Sequence, residues 1–277
     1  MISDIDMERV RELLTEIEAR HEVRILMAVE SGSRAWGFAS PASDFDVRFI
    51  YQEPLERMLR LFPGRDVIEQ MSPYDPDWTG VPIDLVGWSL PKALRLAAAS
   101  NPQLCEWAAG TINYRADADF LGDLRVLTAQ ASPRVLAHHY RGLAKKTVFD
   151  YLSGPDEPRG KKYLYAVRSI LAANWMLDHP VPGSSPPVKF DQLRAQTRVA
   201  AHVDVEIDTL LDWKMRLGEG DAHRRFLVLD QWIGAELHRL GAEVPRLPDP
   251  EVDRGVVEGV FRHRVCAQDA LTAAPGL

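Results

Sequence analysis

The sequence predicts an α/β (α+β) domain followed by an all-helical domain. Short runs of aliphatic, β-branched and aromatic residues, typical of strands, occur only before about residue 115. From about residue 117 onward, apolar residues recur at the spacing of amphipathic helices. This change places a boundary near 113–118, so we expect one domain over residues 1–115 and a second over 116–277.

Helices and strands alternate in the predicted N-terminal domain. Ser89 and Asn101 are each followed closely by a proline, and such polar residues cap helices whose first turn tolerates proline. The predicted strands are 23–29, 45–51, 65–71 and 81–88, and the predicted helices are 4–21, 54–62, 89–99 and one that begins at 102, with a loop over 72–80.

Helical spacing continues through the C-terminal half without a strand signal. A segment rich in Pro, Gly and Ser, 180–187, forms a linker between two of these helices. The predicted helices are 120–130, 133–152, 161–178, 190–197, 203–217, 222–240 and one more after Pro250.

The composition excludes several classes of protein. No run approaches the roughly 18 consecutive apolar residues of a membrane helix, and the acidic N-terminus is unlike a secretory signal. Two cysteines, Cys105 and Cys266, are too few for a disulfide scaffold or a four-cysteine zinc site. We therefore expect a cytoplasmic protein that does not associate with membranes.

The charge distribution is uneven. A net charge of −7 argues against broad non-specific binding of nucleic acid, which depends on Lys and Arg. Residues 134–172, however, contain eight basic and three acidic residues, a net charge of +5. A locally basic groove in the second half is therefore compatible with the acidic whole.

The most informative stretch is 31–51, between two predicted strands. Ten residues separate Gly32-Ser33 from Asp44-Phe45-Asp46. Alternate strand residues share a face, so the two carboxylates lie side by side. At about 4 Å they repel by about 4 kcal/mol at an effective dielectric near 20. A hard cation such as Mg²⁺ (or Mn²⁺) relieves that repulsion, and the Gly32-Ser33 turn suits a phosphate. Taken singly, either motif is more often a loop or a solvated edge.

At these residues the chain resembles a known family. Gly-Ser, ten residues and Asp-x-Asp resemble the signature of the DNA-polymerase-β nucleotidyltransferase superfamily. The longer stretch 32–48 is similar to one branch of this superfamily, the RNA-ligase-associated (YcgL-like) nucleotidyltransferases. Its sequence is Gly-Ser-Arg-Ala-Trp-Gly-Phe-Ala-Ser-Pro-Ala-Ser-Asp-Phe-Asp-Val-Arg. The resemblance covers most of 23–190 in patches. It implies a nucleotidyltransferase domain with a mixed sheet, followed by a helical domain that closes over a nucleotide.

A third acid, Asp84, lies between apolar residues of the strand predicted over 81–88. A buried acid is costly unless it is paired or binds a cation. In the superfamily that the chain resembles, a third carboxylate lies on the strand next to the Asp-x-Asp strand, and the resemblance assigns that place to Asp84. The alternative is a strand whose Asp84 side faces solvent.

A second motif lies on the helix predicted over 161–178. Lys-Lys-Tyr-Leu-Tyr-Ala-Val-Arg resembles the branch's helical motif, and the resemblance implies nucleotide binding. Helical spacing puts Lys161, Tyr165 and Arg168 on one face, which we expect to be cationic, opposite an apolar face. The alternative is a solvated face with weak ion pairs. The candidate nucleotide-binding residues are Gly32, Ser33, Arg34, Lys161, Lys162, Tyr165 and Arg168.

The leading hypothesis is metal-dependent nucleotidyl transfer from an NTP, with ATP as the expected donor, to an acceptor hydroxyl. Asp44, Asp46 and Asp84 are the expected metal ligands and catalytic residues. The branch implies an RNA end as acceptor and an RNA ligase as partner. A protein or a small molecule is an alternative acceptor, and a non-catalytic nucleotide-binding subunit is an alternative to an enzyme.

Overall fold

The computed structural model describes residues 2–71, 81–154, 158, 160–217 and 224–272; the loop predicted over 72–80 lies outside them. Within these residues, no helix is long and apolar enough to span a bilayer. The chain divides into two compact units. The first holds the described residues of Met1–Gly32, Asp44–Gln130 and Glu251–Leu277, and the second those of Ser33–Ser43 and Ala131–Pro250.

Most predicted elements are present, with boundaries shifted by a few residues. In chain order they are α1 (Asp4–His21), β1 (Arg24–Glu30), α2 (Gly32–Trp36), β2 (Phe45–Gln52), α3 (Leu55–Met58), β3 (Val67–Met71), β4 (Ile83–Ser89), α4 (Leu90–Ala98), α5 (Pro102–Ala109), β5 (Asn113–Ala116), α6 (Ala118–Thr128), α7 (Pro133–Thr147), a π-helix (Val148–Leu152), α8 (Gly160–Asp178), α9 (Phe190–Ala195), α10 (Ala201–Leu217), α11 (Leu227–Glu243), a 3₁₀-helix (Val244–Arg246) and α12 (Arg254–Thr272).

The first unit is built on a mixed five-stranded sheet of order β3-β4-β2-β1-β5. β2 and β4 are parallel, and the other neighbours are antiparallel. The predicted α/β class and the mixed sheet are therefore confirmed. The prediction missed β5, which has four residues and one buried side chain, Tyr114, and is too short to show an alternating pattern.

The sheet has an apolar core on each side. Phe45, Val47 and Phe49 of β2 alternate with polar residues and pack in a core with α1. A second core joins β1 to α4, α5 and α6. The predicted caps position α4 and α5: the Ser89 hydroxyl accepts from the Lys92 N–H, and the Asn101 side chain accepts from the Gln103 N–H.

The last helix, α12, belongs to the first unit. The guanidinium of Arg264 lies 2.7 Å from Asp123 and 3.4 Å from Asp117, and the Gln52 amide donates to the Arg264 carbonyl at 3.1 Å. These contacts join residues more than a hundred positions apart. The unit boundaries therefore differ from the predicted division at residues 115 and 116, with α6 and α12 in the unit that holds the sheet.

Among the residues that the structure describes, the second unit is helical apart from its loops, as predicted, and α8 is its central element. Almost every side chain of α8 from Tyr163 to Met176 is buried. α7, α9, α10 and α11 all pack against it. The segment Ser33–Ser43, which the sequence places beside the strands, belongs to this unit.

Candidate active site

Two carboxylates lie side by side on the parallel strands β2 and β4. Asp46 and Asp84 are register partners. One guanidinium nitrogen of Arg48, Nη2, lies 2.9 Å from a carboxylate oxygen of each. Arg48 Nη1 also donates to the Asp84 carbonyl at 3.0 Å. The arrangement is a carboxylate pair that converges on one positive centre.

Asp44 completes a group of three neighbouring acids. β2 begins at Phe45, so Asp44 lies one residue before the strand and is exposed. Burial raises the pKa of the Asp46 carboxyl above its usual range, and the charges of Asp84 and Asp44 raise it further. Arg48 opposes these effects. The acids thus form one electrostatically coupled group.

The donor chemistry suits a hard cation. In the part of the chain that the structure describes, no three or more His, Cys, Asp or Glu side chains are grouped as a ready metal site. The oxygens of Asp46 and Asp84 nevertheless meet at a single nitrogen of Arg48. Carboxylate oxygens are the protein ligands that Mg²⁺ prefers. The donor chemistry of the pair therefore fits a divalent cation.

Gly32 lies against this group. Its φ is +59°, and a Cβ there would lie 1.9 Å from Asp46 Oδ2 and 2.8 Å from Asp46 Cγ. The Ser31 N–H donates to the Asp46 carbonyl at 2.8 Å. Only glycine allows both the left-handed backbone and this close approach. The structure therefore brings the Gly of the Gly-Ser motif to the Asp-x-Asp strand.

A buried carboxylate behind Asp46 was missed by the sequence analysis. Glu30, at the end of β1, is 3% exposed. Its Oε1 accepts from the Asp46 N–H at 3.0 Å, and its Oε2 accepts from the Tyr114 hydroxyl at 2.5 Å. Glu30 thus links β1 and β5 to Asp46, a candidate catalytic residue on β2. The sequence signal was an acid at the end of an otherwise apolar strand.

Ser33 and Arg34 belong to the second unit. Ser33 is buried, and its carbonyl accepts from the N–H groups of Gly37 and Phe38. Arg34 donates to the carbonyl of Ser43. Arg34 therefore joins the two ends of the Ser33–Ser43 segment. Whether either residue also binds phosphate stays a prediction.

Aromatic side chains of the Ser33–Ser43 segment pack on the helices of the second unit. Trp36 meets the Tyr165 ring edge-on, with ring centres 5.5 Å apart. The Arg168 guanidinium lies 4.2 Å from the centre of the Trp36 ring, and the Lys214 ammonium lies 4.9 Å from that of Phe38. Arg168 and Lys214 are 3% and 2% exposed, so both contacts are largely desolvated.

The expectation of one apolar and one cationic face on α8 is wrong for Arg168. It is buried within the unit, and Ala172 on the same face is fully buried too. The cause is that other helices and the Ser33–Ser43 segment cover α8. Lys161 and Lys162 at its start remain half-buried, and Lys162 Nζ lies 3.8 Å from the centre of the Tyr151 ring.

The predicted site residues thus fall into two sets. Asp44, Asp46, Asp84 and Gly32 lie together in the first unit. The second unit holds Ser33, Arg34, Lys161, Lys162, Tyr165 and Arg168. Arg48 was missed, although it follows Asp46 by two residues and therefore shares its face.

The chain is similar to known proteins. One similar solved structure is a nucleotidyltransferase-like protein from Exiguobacterium sibiricum 255-15, which is 16% identical, covers 87% of this chain and 74% of that one, and has a TM-score of 0.31. A likeness of that degree supports no inference. The uncharacterized protein YcgL of Bacillus subtilis (strain 168) is 39% identical over 234 residues, 84% of this chain and 86% of the relative.

The family assignment rests on a match over most of the chain. The family model RlaP, described as the RNA repair pathway DNA polymerase beta family, matches residues 7–263. The span includes β2, β4 and the three acids. The chain therefore belongs to the RNA repair pathway DNA polymerase beta family, a polymerase-beta-like nucleotidyltransferase family.

Proposed function

We propose that the protein is a metal-dependent nucleotidyltransferase that moves an NMP from an NTP to an acceptor hydroxyl and releases pyrophosphate. The observation that carries the proposal is the Asp46–Asp84 pair on adjacent parallel strands, with Asp44 beside it. An acid pair at this position costs stability, because the pKa of Asp46 is raised. Such a cost is typical of a functional site.

The carboxylates have distinct tasks in this proposal. Asp44 and Asp46 would hold two Mg²⁺ ions, and Asp84 would hold the catalytic metal and orient or deprotonate the acceptor hydroxyl. Divalent cations bound there supply charge stabilisation for both the attacking and the leaving oxygen of an in-line displacement. Glu30 fixes the backbone of Asp46, and Arg48 balances the carboxylates before the cations bind.

The transfer itself is a substitution at the α-phosphorus of the donor. The acceptor oxygen forms a bond to that phosphorus, and the bond to the oxygen bridging the α- and β-phosphates breaks. The electron pair of the broken bond leaves with pyrophosphate. The hydroxyl proton passes to Asp84 or to solvent beside it.

Donor binding is proposed for the remaining motif residues. Gly32 and Ser33 meet the β- and γ-phosphates, with Arg34 beside them, and ATP is the donor we expect. Lys161 and Lys162 supply point charges and Tyr165 a hydroxyl. Since Arg168 is buried against Trp36, its part is to hold the Ser33–Ser43 segment rather than to grip phosphate directly.

The acceptor that we propose is an RNA end, with an RNA ligase as a functional partner. The description of the family, which names an RNA repair pathway, supports this choice. A protein or small-molecule acceptor is the alternative outcome of an acceptor screen. An RNA acceptor predicts affinity that falls steeply with salt, whereas a small neutral acceptor does not.

Nucleotide binding is tested without any acceptor. Melting temperature is measured with each of the four NTPs, with and without Mg²⁺, for the wild type, Asp46→Asn and Glu69→Gln. Glu69 is an exposed carboxylate of the same sheet and serves as the matched control. A ligand at 100 times its Kd adds about 2.7 kcal/mol.

We expect Mg²⁺-dependent stabilisation by at least one NTP in the wild type and Glu69→Gln, and its loss in Asp46→Asn. The responding NTP then serves as the donor in a screen of acceptors. Equal stabilisation of all three proteins, with no need for Mg²⁺, contradicts the proposed site.

A further inference from the structure

A groove in the second unit runs along the C-terminal half of α10. Its lining residues, which define the α10 groove, are Thr209, Asp212, Trp213 and Arg216 of α10 and Arg224, which precedes α11. The groove has a volume of about 340 Å³, near the lower end of the range for small-molecule sites. A groove of this size accommodates one small molecule rather than a polymer strand.

The α10 residues of the groove share one face of the helix. Their spacing is i, i+3, i+4 and i+7, which brings side chains to the same side. At a rise of about 1.5 Å per residue, Thr209 and Arg216 lie about 10 Å apart along the helix axis. The face therefore has two different ends, with a hydroxyl and a carboxylate at one end and a guanidinium at the other.

Trp213 supplies an aromatic wall between these ends. Its ring meets the Phe226 ring edge-on, with ring centres 6.0 Å apart. A Cβ at Gly160 would overlap the Trp213 ring, so only glycine lets α8 begin against it. Trp213 is half-buried and lines the groove, so part of its surface stays accessible to a ligand. A ring held in this way lowers the entropic cost of stacking a ligand on it.

Two guanidinium groups make the groove positive. The guanidinium carbon of Arg224 lies 4.8 Å from the centre of the Phe226 ring, and the Arg224 N–H donates to the Pro158 carbonyl at 3.2 Å. In the described part of the chain, neither Arg216 nor Arg224 forms an ion pair, and Asp212 forms none either. Because guanidinium groups bind phosphate through paired hydrogen bonds, the arginine end suits a phosphate.

We infer that the α10 groove binds a nucleoside phosphate. The base stacks on Trp213, the phosphate pairs with Arg216 and Arg224, and Asp212 accepts hydrogen bonds from hydroxyl or amino groups of the ligand. A phosphate without a nucleoside would leave the ring and the carboxylate unused. The inference goes beyond the proposed function, since no residue of the α10 groove belongs to the metal or donor sites proposed above.

The test is equilibrium dialysis of the full chain with each of the four labelled nucleoside monophosphates. EDTA is present, so that binding which needs Mg²⁺ does not contribute. The comparison ligands are inorganic phosphate and phenyl phosphate, which has a ring and a phosphate but no ribose and no amino group.

The variants remove one contact each. They are Trp213→Leu, the more conservative Trp213→Phe, Arg216→Gln and Asp212→Asn. Arg246→Gln is the matched control, because Arg246 is exposed, belongs to the same unit and does not line the groove. Asp46→Asn separates this inference from the proposed function. Melting temperatures check that each variant is folded.

We expect at least one nucleoside monophosphate to bind in EDTA, more tightly than either comparison ligand. Trp213→Leu should weaken binding about fivefold or more, since stacking of a base on one ring contributes that much or more, and Trp213→Phe should weaken it less. Arg216→Gln should weaken it about tenfold or more, because a hydrogen bond to a charged group is removed. Asp212→Asn should reduce the preference for the nucleotide over phenyl phosphate. Arg246→Gln and Asp46→Asn should bind as the wild type does.

Wild-type affinity in Trp213→Leu or in Arg216→Gln, or an equal loss in Arg246→Gln, overturns the α10 groove as the binding site. Equal affinity for inorganic phosphate or phenyl phosphate overturns the assignment to a nucleotide. Binding that requires Mg²⁺ and is lost in Asp46→Asn assigns the nucleotide to the donor site proposed above, and it also overturns the inference. Binding in EDTA that Asp46→Asn keeps and Trp213→Leu loses supports the α10 groove, even where no nucleotidyl transfer is found.

Discussion

The close approach of Gly32 to Asp46 gives a sharp test of the site geometry. In Gly32→Ala the new Cβ would lie 1.9 Å from Asp46 Oδ2, at a φ of +59°. The left-handed backbone costs a non-glycine residue about 1–2 kcal/mol. Forcing an extra carbon into a packed site costs about 1–3 kcal/mol more. We therefore expect Gly32→Ala to lower the free energy of unfolding by about 2–5 kcal/mol.

Gly37→Ala is the matched control for this substitution. The φ of Gly37 is +87°, and a Cβ there would meet nothing within 4 Å. Its cost should therefore be limited to the backbone, about 1–2 kcal/mol. The excess cost in Gly32→Ala measures the contact with Asp46, and Asp46→Ala in the same chain should remove most of that excess.

Urea unfolding measures these costs, and hydrogen exchange of the β2 amides shows whether the loss is local to the site. Gly32→Ala should also lose nucleotidyl transfer through displacement of the Asp46 carboxylate, whereas Gly37→Ala should keep Asp46 in place. Equal destabilisation by Gly32→Ala and Gly37→Ala would refute the predicted contact. So would an excess that persists when Asp46 is replaced by alanine.

Three further predictions follow from the buried groups. Because the pKa of Asp46 is raised on folding, its charged form opposes folding, and the wild type gains stability as the pH falls through that raised pKa. Urea unfolding should therefore show Asp46→Asn to be more stable than the wild type at neutral pH, with a difference that shrinks by about pH 4. A variant less stable than the wild type at neutral pH contradicts this. Tyr114→Phe removes the hydroxyl that donates to Glu30, so it should cost about 1.5–3 kcal/mol in the same assay, and a cost below about 0.5 kcal/mol would show that this bond is not made. Arg168→Lys loses the planar contact with Trp36 and should shift the tryptophan fluorescence and lower the melting temperature, while unchanged values argue against that stacking.

The sheet and the acidic group were largely predictable from local patterns. Phe45, Val47 and Phe49 alternate with polar residues, which predicts a half-buried strand, and that alternation already places Asp46 and Arg48 on one face. Arg48 was missed because its role depends on β4, which pairs with β2 only in the folded chain. No local sequence pattern predicts that Asp84 lies beside Asp46 in the sheet register.

Long-range contacts account for the other differences. β5 has a single buried residue and forms only because β1 offers it an edge. α12 returns to the first unit through Arg264, whose partner Asp117 lies 147 residues away. Neither contact can be inferred from periodicity, because periodicity shows which side chains of an element are buried but not which other element packs against them.

The sequence of α8 already indicated that Arg168 is buried, although helical spacing alone predicted a cationic face there. From Leu164 to Met176, α8 is apolar on nearly every side, and a helix that is apolar all round is usually buried. Within such a helix an arginine is expected to be enclosed and stacked or paired. Its partner, Trp36, lies more than a hundred residues earlier in the chain, so the sequence could predict the enclosure but not the contact.

The most direct test of the central claim follows each phosphate of the donor. The wild type, Asp46→Asn, Asp84→Asn and Glu69→Gln are incubated with Mg²⁺, an oligoribonucleotide and NTP labelled at either the α- or the γ-phosphate. We predict that only the α-label enters the acceptor and that the γ-label is recovered in pyrophosphate. Both aspartate variants should lose at least a hundredfold in rate, because about 2.7 kcal/mol or more of transition-state stabilisation is removed. Glu69→Gln should keep the wild-type rate. Entry of γ-label into the acceptor, or transfer by Asp46→Asn at the wild-type rate, would contradict nucleotidyl transfer at the Asp46–Asp84 pair.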